Sequence, residues 1–350
     1  MTDPLPHAPP KGRATSYDVA RAAGVAQSTV SRCFQDNSGI SPPTRLRVQE
    51  AARKLGYLPN ALARSLITRQ SNLIGVVVTR YTLRGNPDVL YAIGASLAAA
   101  GKQLLLVTIE AGDFATLQSL RGILEYPLEA LISCVLIPED DLRHIQSRVP
   151  IVFYNREVAH LPADSLPVDS VTADHARAAA QLADLLYQAG HRRLLVIGGP
   201  AEAPVSRLRT SGFTTRAKHL GAQIVATLET NYGYPDAHEK SLAWLQKNPR
   251  PDAVFCANDQ IAMAVMDACR TDLAWTIPND ISVVGFDDIA ESARPVYQLT
   301  TMHQDSVAMA HEAVRLLLLR LANPEAPPVS TVIGAVFVPR QSARLARPEG

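Results

Sequence analysis

From Leu73 onward, the sequence alternates between short apolar runs and longer stretches whose apolar residues recur with helical spacing. The runs Ile74–Thr79 and Ala253–Cys256 have almost no polar residue, which is typical of strands that a parallel sheet buries on both faces. Strands that alternate with helices predict sheets covered by helices on both sides. Two successive series of this kind predict an α/β core, residues 72–350, built from two doubly wound parallel-sheet subdomains.

The predicted elements assign about 72–168 plus 301–322 to an N-terminal subdomain and about 169–300 plus 323–342 to a C-terminal subdomain. The predicted strands are 74–79, 103–108, 130–136, 151–154, 194–197, 222–227, 253–256, 281–286 and 331–338. The predicted helices are 88–100, 113–125, 139–147, 172–189, 205–219, 235–247, 259–271 and 305–322.

A different pattern precedes the core. Residues 1–14 are rich in proline and are expected to form a disordered leader. Residues 15–58 predict an all-α head of three helices near 16–23, 27–34 and 42–55, with a capping box between Thr15 and Asp18 and a tight turn at Gly24. The third helix is expected to bury Leu46, Val48, Ala51, Ala52 and Leu55.

Charge is divided unevenly between these two parts. The chain has 34 Lys or Arg, 33 Asp or Glu and a formal net charge of +1. Residues 1–71 hold 10 basic and 4 acidic residues, which sum to +6, and the remaining 24 and 29 sum to −5. A basic head on an acidic core is typical of a polyanion-binding module attached to a second function.

Two short helices joined by a glycine-containing turn predict a helix-turn-helix, whose second helix enters the major groove of DNA. The outer face of the second predicted helix carries Gln27, Ser28, Thr29, Ser31 and Arg32. Glutamine can read adenine and arginine can read guanine through paired hydrogen bonds, while hydroxyls contact bases or phosphates. A purely structural helical hairpin would also accept small residues at Ala20 and Gly24.

The stretches Tyr17–Ala20, Gly24–Val25 and Ser28–Arg32 resemble the LacI/GalR family of bacterial transcription regulators. Further similar stretches are 44–52, 55–66, 72–77, 190–194, 198–200, 209–213, 252–259, 283–288, 299–301 and 304–305. The resemblance spans nearly the whole chain and implies DNA contacts at Thr15 and Tyr17 and a core similar to periplasmic sugar-binding proteins. One departure is Ala26, where the family usually has a serine that caps the second helix, a loss worth about 0.5–2 kcal/mol.

Residues 59–71 are expected to be a hinge helix and linker. In the family, the matching segment becomes helical on DNA and inserts a leucine between base pairs in the minor groove. The resemblance implies that Leu66 is this wedge, with Asn60, Ala63 and Arg64 close to the groove, and an apolar wedge of this kind kinks DNA. The alternative is a plain linker helix with Leu66 packed on the core.

The core offers candidate ligand contacts. Asn258 and Asp287 follow two predicted strands, at the carboxyl edge where open α/β sheets bind ligands. Arg209 can donate two hydrogen bonds, Asp287 can accept two and Asn258 can do both, which suits a hydroxylated ligand. The resemblance implies that these three residues, with Tyr232 as a stacking aromatic, bind the effector. The alternatives are a surface salt bridge for Arg209 and turn or helix capping for Asn258 and Asp287.

The expected function is that of a sequence-specific DNA-binding regulator, a repressor, controlled by a small-molecule effector such as a sugar or related metabolite. One helix-turn-helix reads one half-site, so a homodimer on a near-palindromic operator is expected. The C-terminus has no leucine heptads, which favours a dimer over a tetramer. The residues are compatible with an effector that releases DNA and with one that is required for DNA binding.

Other classes of protein are disfavoured. The sequence has no G-x-S-x-G, H-E-x-x-H, P-loop or G-x-G-x-x-G, so no enzyme is expected. Its 9 histidines and 4 cysteines show no metal-ligand spacing, so neither a metal nor another cofactor is expected. Without a signal peptide or a long apolar run, we expect a cytoplasmic bacterial protein, nucleoid-associated on DNA, with no membrane partner. The rival interpretation is a small-molecule-binding protein that has lost DNA recognition.

Overall fold

The computed structural model describes residues 14–34, 39–58, 71–79, 82–83, 87–109, 115–156 and 168–345, in two compact units divided between Ser71 and Asn72. The helices described in the first unit are α1 (Ser16–Ala23), α2 (Gln27–Cys33) and α3 (Pro42–Leu55), as predicted to within one residue. The capping box is present, because Thr15 Oγ1 accepts from Asp18 N at 3.3 Å and Asp18 Oδ2 accepts from Thr15 N at 2.9 Å. Gly24 ends α1 with φ 65°, a left-handed conformation that glycine adopts without strain.

A small apolar core holds the three helices of this unit together. Its buried members are Val19, Ala20, Val30, Cys33, Val48, Ala51 and Ala52. The prediction that Leu46 and Leu55 belong to it is wrong, since they are 59% and 41% exposed. Leu46 precedes Val48 by two residues, which turns it about 200° around the helix. Leu55 is the last residue of α3.

The second unit alternates strands and helices. Its described strands are β1 (Leu73–Thr79), β2 (Gln103–Ile109), β3 (Ala130–Ser133), β4 (Ile151–Tyr154), β5 (Asp169–Ala173), β6 (Arg193–Gly198), β7 (Gln223–Glu229), β8 (Ala253–Cys256), β9 (Ser282–Val284), β10 (Thr301–His303), β11 (Ser330–Ile333) and β12 (Val336–Val338). Its described helices are α4 (Asp88–Ala99), α5 (Leu117–Leu124), α6 (Glu139–Gln146), α7 (His175–Gln188), α8 (Pro204–His219), α9 (Tyr234–Lys247), α10 (Asp259–Asp267) and α11 (Ser306–Ala322).

Within the described ranges, ten of these strands form two parallel sheets, and β10 and β12 form a separate antiparallel pair. We call each parallel sheet, with the helices that pack on it, the first or second half of the unit. The first sheet has six strands in the order β2-β1-β3-β4-β5-β11, and the second has four in the order β7-β6-β8-β9. Helices α4 and α11 pack on one face of the first sheet and α5 and α6 on the other. Helices α7 and α8 pack on one face of the second sheet, and α9 and α10 on the other. The predicted class of two doubly wound parallel sheets is confirmed.

Sheet membership differs from the predicted division at its edges. The segment Asp169–Ala173 pairs in parallel with β4 and belongs to the first sheet, whereas its last two residues had been assigned to a helix. The helix begins only at His175, because Asp174 caps it by accepting from Arg177 N at 3.2 Å. The single strand predicted at 331–338 is two strands: β11 pairs with β5, and β12 pairs antiparallel with β10 beside the second sheet.

A buried ion pair fixes the outer part of the first half. Arg320 near the end of α11 donates to both carboxylate oxygens of Asp169 on β5, each at 2.9 Å. Val329 N donates to the same carboxylate at 2.9 Å, just before β11 begins. Because a buried carboxylate needs such partners, this pair fastens α11, β5 and β11 to one another.

Candidate functional sites

The polar residues predicted on α2 lie at the surface of the first unit. Ser28 and Arg32 are exposed, and the remaining three, Gln27, Thr29 and Ser31, are half-buried. The buried face of the same helix carries Val30 and Cys33. The helix therefore separates an apolar inner side from a polar side that is open to a partner.

The start of α1 lies beside the start of α2. Gln27 Nε2 donates to Ser16 Oγ at 3.1 Å, which ties the first turns of the two helices together. Thr15 is exposed and Tyr17 is 69% exposed, so both predicted contacts from this segment are accessible. Ala26 holds the N-cap position of α2 with an extended backbone and makes no side-chain capping bond.

The other predicted DNA contacts, Asn60, Ala63, Arg64 and Leu66, lie outside the described residues.

Arg209 is the centre of the candidate effector site. It lies on α8 and is 3% exposed. Its Nη2 donates to Asp287 Oδ1 at 2.7 Å, its Nη1 donates to the carbonyl oxygen of Ala257 at 2.6 Å, and its guanidinium lies 3.8 Å from the centre of the Phe286 ring. The surface salt bridge considered from the sequence is therefore wrong, because the pair is buried.

Asp287 follows β9 on an unusual backbone. Its φ is 116° and that of Asp288 is 59°, both in the region that side chains other than glycine rarely adopt. The backbone is held in place because Asp287 N donates to the carbonyl oxygen of Met302 at 2.9 Å. Burial raises the pKa of the Asp287 carboxyl above its ordinary value, and the neighbouring Arg209 opposes this effect.

Asn258 caps a helix in addition to lying near Arg209. Its Oδ1 accepts from Ile261 N at 2.8 Å and closes the first turn of α10. It directly follows Ala257, whose carbonyl oxygen binds Arg209. The capping alternative thus holds for Asn258.

Tyr232 lies at the carboxyl end of the second sheet, after β7. Its backbone φ is 64°, and its ring packs so closely on Gly199 that a Cβ added there would overlap the ring. The side chain is half-buried against the core of the second half. Close packing on Gly199 fixes the plane of the Tyr232 ring.

Three residues that the sequence analysis did not select contact this cluster. Arg209 Nε donates to His175 Nδ1 at 3.2 Å, and Arg209 Nη2 also donates to Gln304 Oε1 at 3.1 Å. His175 Nε2 lies 2.7 Å from Asn155 Oδ1. Burial, followed by the charges of Arg209 and Arg156, holds the pKa of His175 well below its usual range. The sequence feature that could have pointed to Asn155 and His175 is their position after strands, because Asn155 directly follows β4 and His175 closely follows β5.

Asp259 is a second buried carboxylate nearby. Its oxygens accept from Thr301 Oγ1 at 2.6 Å, Ser292 Oγ at 2.7 Å and Ile289 N at 3.0 Å. Burial, reinforced by the charge of Asp287, raises the pKa of Asp259 to about 7. This residue joins the start of α10 to the loop after β9 and to β10.

Within the described ranges, no group of three or more His, Cys, Asp or Glu residues is arranged to hold a metal ion. Among the same residues, no helix has the length and apolar composition needed to cross a membrane. The arrangement around Arg209 offers hydrogen-bond donors, acceptors and an aromatic surface. Groups of this kind are typical of binding sites for polar small molecules.

Comparison with known proteins identifies both units. Residues 15–60 match the model of bacterial regulatory proteins of the lacI family, and residues 183–343 match that of the periplasmic binding protein-like domain. The regulator CelR of Thermobifida fusca is 30% identical over 343 residues, covering 94% of this chain and 98% of CelR. The lactose operon repressor of Escherichia coli is 29% identical over 308 residues, covering 87% of this chain and 84% of that repressor.

Solved structures agree with these relatives. The Lac repressor dimer bound to operator and the anti-inducer ONPF superposes with a TM-score of 0.81 at 27% identity, covering 95% of this chain and 99% of that one. A CelR–cellobiose complex gives a TM-score of 0.67 at 27% identity, covering 94% and 100%. With a helix-turn-helix head, two doubly wound sheets and relatives along nearly its whole length, the chain belongs to the LacI family and is a DNA-binding transcriptional regulator under effector control.

Proposed function

We propose that the protein is a cytoplasmic repressor that binds a near-palindromic operator as a homodimer and responds to an uncharged, hydroxylated effector of the carbohydrate class. The observation that carries the effector assignment is the buried pair of Arg209 and Asp287 at the carboxyl end of the second sheet. Residues 15–58 would read DNA, 59–71 would connect the two parts, and 72–350 would bind the effector and the second subunit.

The state of Arg209 favours an uncharged ligand. Four of its five N–H groups are engaged, by His175, Ala257, Asp287 and Gln304. Its positive charge is balanced by Asp287 at 2.7 Å. A phosphate or carboxylate ligand would have to displace Asp287 from Arg209. A ligand hydroxyl can instead accept a hydrogen bond from the remaining N–H of Arg209 and donate one to the second oxygen of Asp287.

Known complexes of relatives agree with this ligand class. The CelR structure is a complex with cellobiose, and two Lac repressor structures contain ONPF or ONPG. In this chain, Asn258 would donate to a ligand hydroxyl and Tyr232 would stack on the ligand, as aromatic rings in ligand pockets do.

The DNA-reading assignment rests on the exposed side of α2. Base edges and phosphates in the major groove would be contacted by Gln27, Ser28, Thr29, Ser31 and Arg32. Thr15 and Tyr17 would contact the DNA backbone. Asn60, Ala63, Arg64 and Leu66 would form the minor-groove contacts, with Leu66 as the wedge. The charge of +6 on residues 1–71 supplies affinity for phosphates without sequence preference.

Selection of binding sites from random DNA tests the proposal against its rival. A regulator enriches a near-palindromic sequence, and its affinity falls steeply as salt is raised. A small-molecule-binding protein that has lost DNA recognition enriches nothing and still binds its ligand. The two outcomes are separable because the ligand assay uses no DNA.

A thermal-unfolding screen with sugars, sugar phosphates, nucleosides and carboxylic acids tests the ligand class. A ligand at 100 times its Kd adds about 2.7 kcal/mol to the stability of the folded state. Stabilisation by an uncharged sugar supports the proposal, and stabilisation only by sugar phosphates or acids contradicts it. Because effector and DNA binding are reciprocally coupled, the same sugar should change operator affinity about 5–150-fold.

A further inference from the structure

The chain passes between the two halves of the second unit at three places among the described residues. These crossings lie between β5 and α7, between β10 and α11, and between β11 and β12. The first and third touch each other, because Asp174 N donates to the carbonyl oxygen of Ile333 at 3.1 Å. Side chains at the crossings are therefore placed to hold the halves in one arrangement.

Four side chains close a ring of hydrogen bonds at the first and second crossings. Arg209 Nε donates to His175 Nδ1 at 3.2 Å, and His175 Nε2 lies 2.7 Å from Asn155 Oδ1. Asn155 Nδ2 lies 3.4 Å from Gln304 Oε1, which also accepts from Arg209 Nη2 at 3.1 Å. Asn155 belongs to the first half and Arg209 to the second, while His175 and Gln304 lie at the crossings.

The ring has one consistent assignment of hydrogens. A guanidinium group only donates, so His175 Nδ1 must accept from Arg209, and the hydrogen of the neutral imidazole is on Nε2, where it is donated to Asn155 Oδ1. The charged groups facing the imidazole are Arg209 and Arg156, and both oppose its protonation. Asn155 has φ 55°, a conformation that persists in a residue other than glycine when its surroundings hold it.

We propose that His175 is a positioning residue for Arg209 and that, with Asn155, it couples the position of the Arg209 guanidinium to the crossings between the two halves. A ligand that draws Arg209 toward itself lengthens its bond to His175 and loosens the ring, so ligand contact and the arrangement of the halves change together. The inference rests on the proposed function only in giving Arg209 a ligand contact.

The first test is nitrogen-15 NMR of the histidine side chains in the full-length protein without ligand. We expect His175 to be neutral at pH 7 with its hydrogen on Nε2. A signal from the Nδ1–H form, or from a doubly protonated ring, overturns the proposal. Asn155→Asp places a carboxylate beside Nε2, so we expect it to shift the titration of His175 to higher pH. A titration that does not move contradicts direct contact.

The second test is amide hydrogen exchange in the full-length protein. In His175→Phe, amides of 171–175, 302–306 and 333–336 should exchange about tenfold faster, the change expected when a hydrogen bond to a charged group is lost. Asn155→Asp should accelerate the same amides because it removes the Nδ2 donor to Gln304 Oε1. His191→Phe is the matched control, because His191 is also buried in the second half but bonds to the carbonyl oxygen of Arg344. Equal acceleration at the crossings in this control overturns the proposal.

A double-mutant cycle separates positioning from general destabilisation. Arg209→Lys keeps the charge but removes the Nε–H donor, so its effect on crossing exchange should not add to that of His175→Phe. Additive effects of the two substitutions on exchange overturn the coupling. If His175→Phe does not fold, Asn155→Asp replaces it in the cycle with Arg209→Lys. None of these measurements uses DNA or ligand, so a failed DNA selection alongside a confirmed ring refutes the proposed function alone.

Discussion

Arg209 and Asp287 form a buried ion pair, with 2.7 Å between Nη2 and Oδ1, although Asp287 lies on a backbone with φ 116°. Strained conformations of this kind persist where the surrounding structure holds them, and they cluster at ligand-binding sites. The hydrogen bond from Asp287 N to Met302 and the ion pair together supply that hold. The pair is therefore both a structural contact and the candidate ligand contact, and a test has to separate the two roles.

Replacing Asp287 by Asn tests this separation. Removing one partner of a buried ion pair costs about 3–5 kcal/mol, because the other charge is left uncompensated. We expect a fall in stability together with loss of the thermal stabilisation given by the sugar found in the screen.

Asp169→Asn is the matched control, because Asp169 pairs with buried Arg320 at 2.9 Å in the first half, away from the candidate ligand contacts. We expect a similar fall in stability with the sugar response retained. If the two variants respond equally to the sugar, Asp287 is structural only.

Gly199→Ala tests the placement of Tyr232. An added Cβ overlaps the tyrosine ring, so the ring must move from its position at the end of the second sheet. We expect weaker sugar binding in isothermal titration. Gly122→Ala in α5 is the control, because a Cβ there meets open space and helix propensity favours alanine by about 0.5–1 kcal/mol. Unchanged binding in Gly199→Ala would remove Tyr232 from the proposed site.

How much of the fold can be predicted from the sequence depends on how far along the chain each sequence pattern acts. The head helices were predictable because Thr15, Asp18 and Gly24 act within a few residues. The parallel sheets were predictable because central strands such as β1 and β8 are almost entirely apolar. The strand Asp169–Ala173 was missed because it contains polar residues, and Asp169 is buried with its carboxylate bonded to Arg320 and Val329 N.

The candidate site shows the same limit. Asn258 and Asp287 were selected because they follow strands, and Arg209 because it stands in a stretch that resembles the family. His175 and Asn155 meet only after β4 and β5 pair and α8 brings Arg209 beside them. No local pattern encodes a contact between residues 20 apart in the chain that are brought together by sheet pairing.

The raised pKa of the Asp259 carboxyl predicts that the stability of the protein depends on pH. Its pKa of about 7 in the folded protein lies above the ordinary value of 3.8, so between these two pH values the folded state binds a proton that the unfolded state has lost. The stability it contributes is fully present below pH 4 and is lost as pH rises through about 7. Asp259→Asn should flatten this loss, because an amide does not ionise.

Denaturant unfolding at several pH values measures the effect by tryptophan fluorescence, since Trp244 and Trp275 both lie in the second half. The lowered pKa values of His175 and His191 have the opposite sign, with stability lost as pH falls below about 6.5. The difference between wild type and variant therefore isolates Asp259. A difference that does not change between pH 4 and pH 8 contradicts the prediction.

Ala26→Ser should stabilise the DNA-reading head. Ala26 has φ −70° and ψ 151°, the extended conformation of an N-cap, but it makes no capping bond. A serine Oγ there can accept from the backbone N–H of Ser28 or Thr29, a gain of about 0.5–2 kcal/mol. Slower amide exchange in α2 of the full-length protein measures it. Ala22→Ser, at an exposed position in the last turn of α1, should give no such protection.

Arg32→Ala separates specificity from charge in operator binding. If Arg32 reads a base through two hydrogen bonds, its loss costs about 1–3 kcal/mol and relaxes the preference at one position of each half-site. Lys54→Ala removes the same charge from an exposed position near the end of α3 and should leave the selected sequence unchanged. Selection from random DNA, repeated at two salt concentrations, measures both effects. An unchanged preference in Arg32→Ala, with a reduced salt dependence, would make Arg32 a phosphate contact and leave base reading to Gln27 and Ser28.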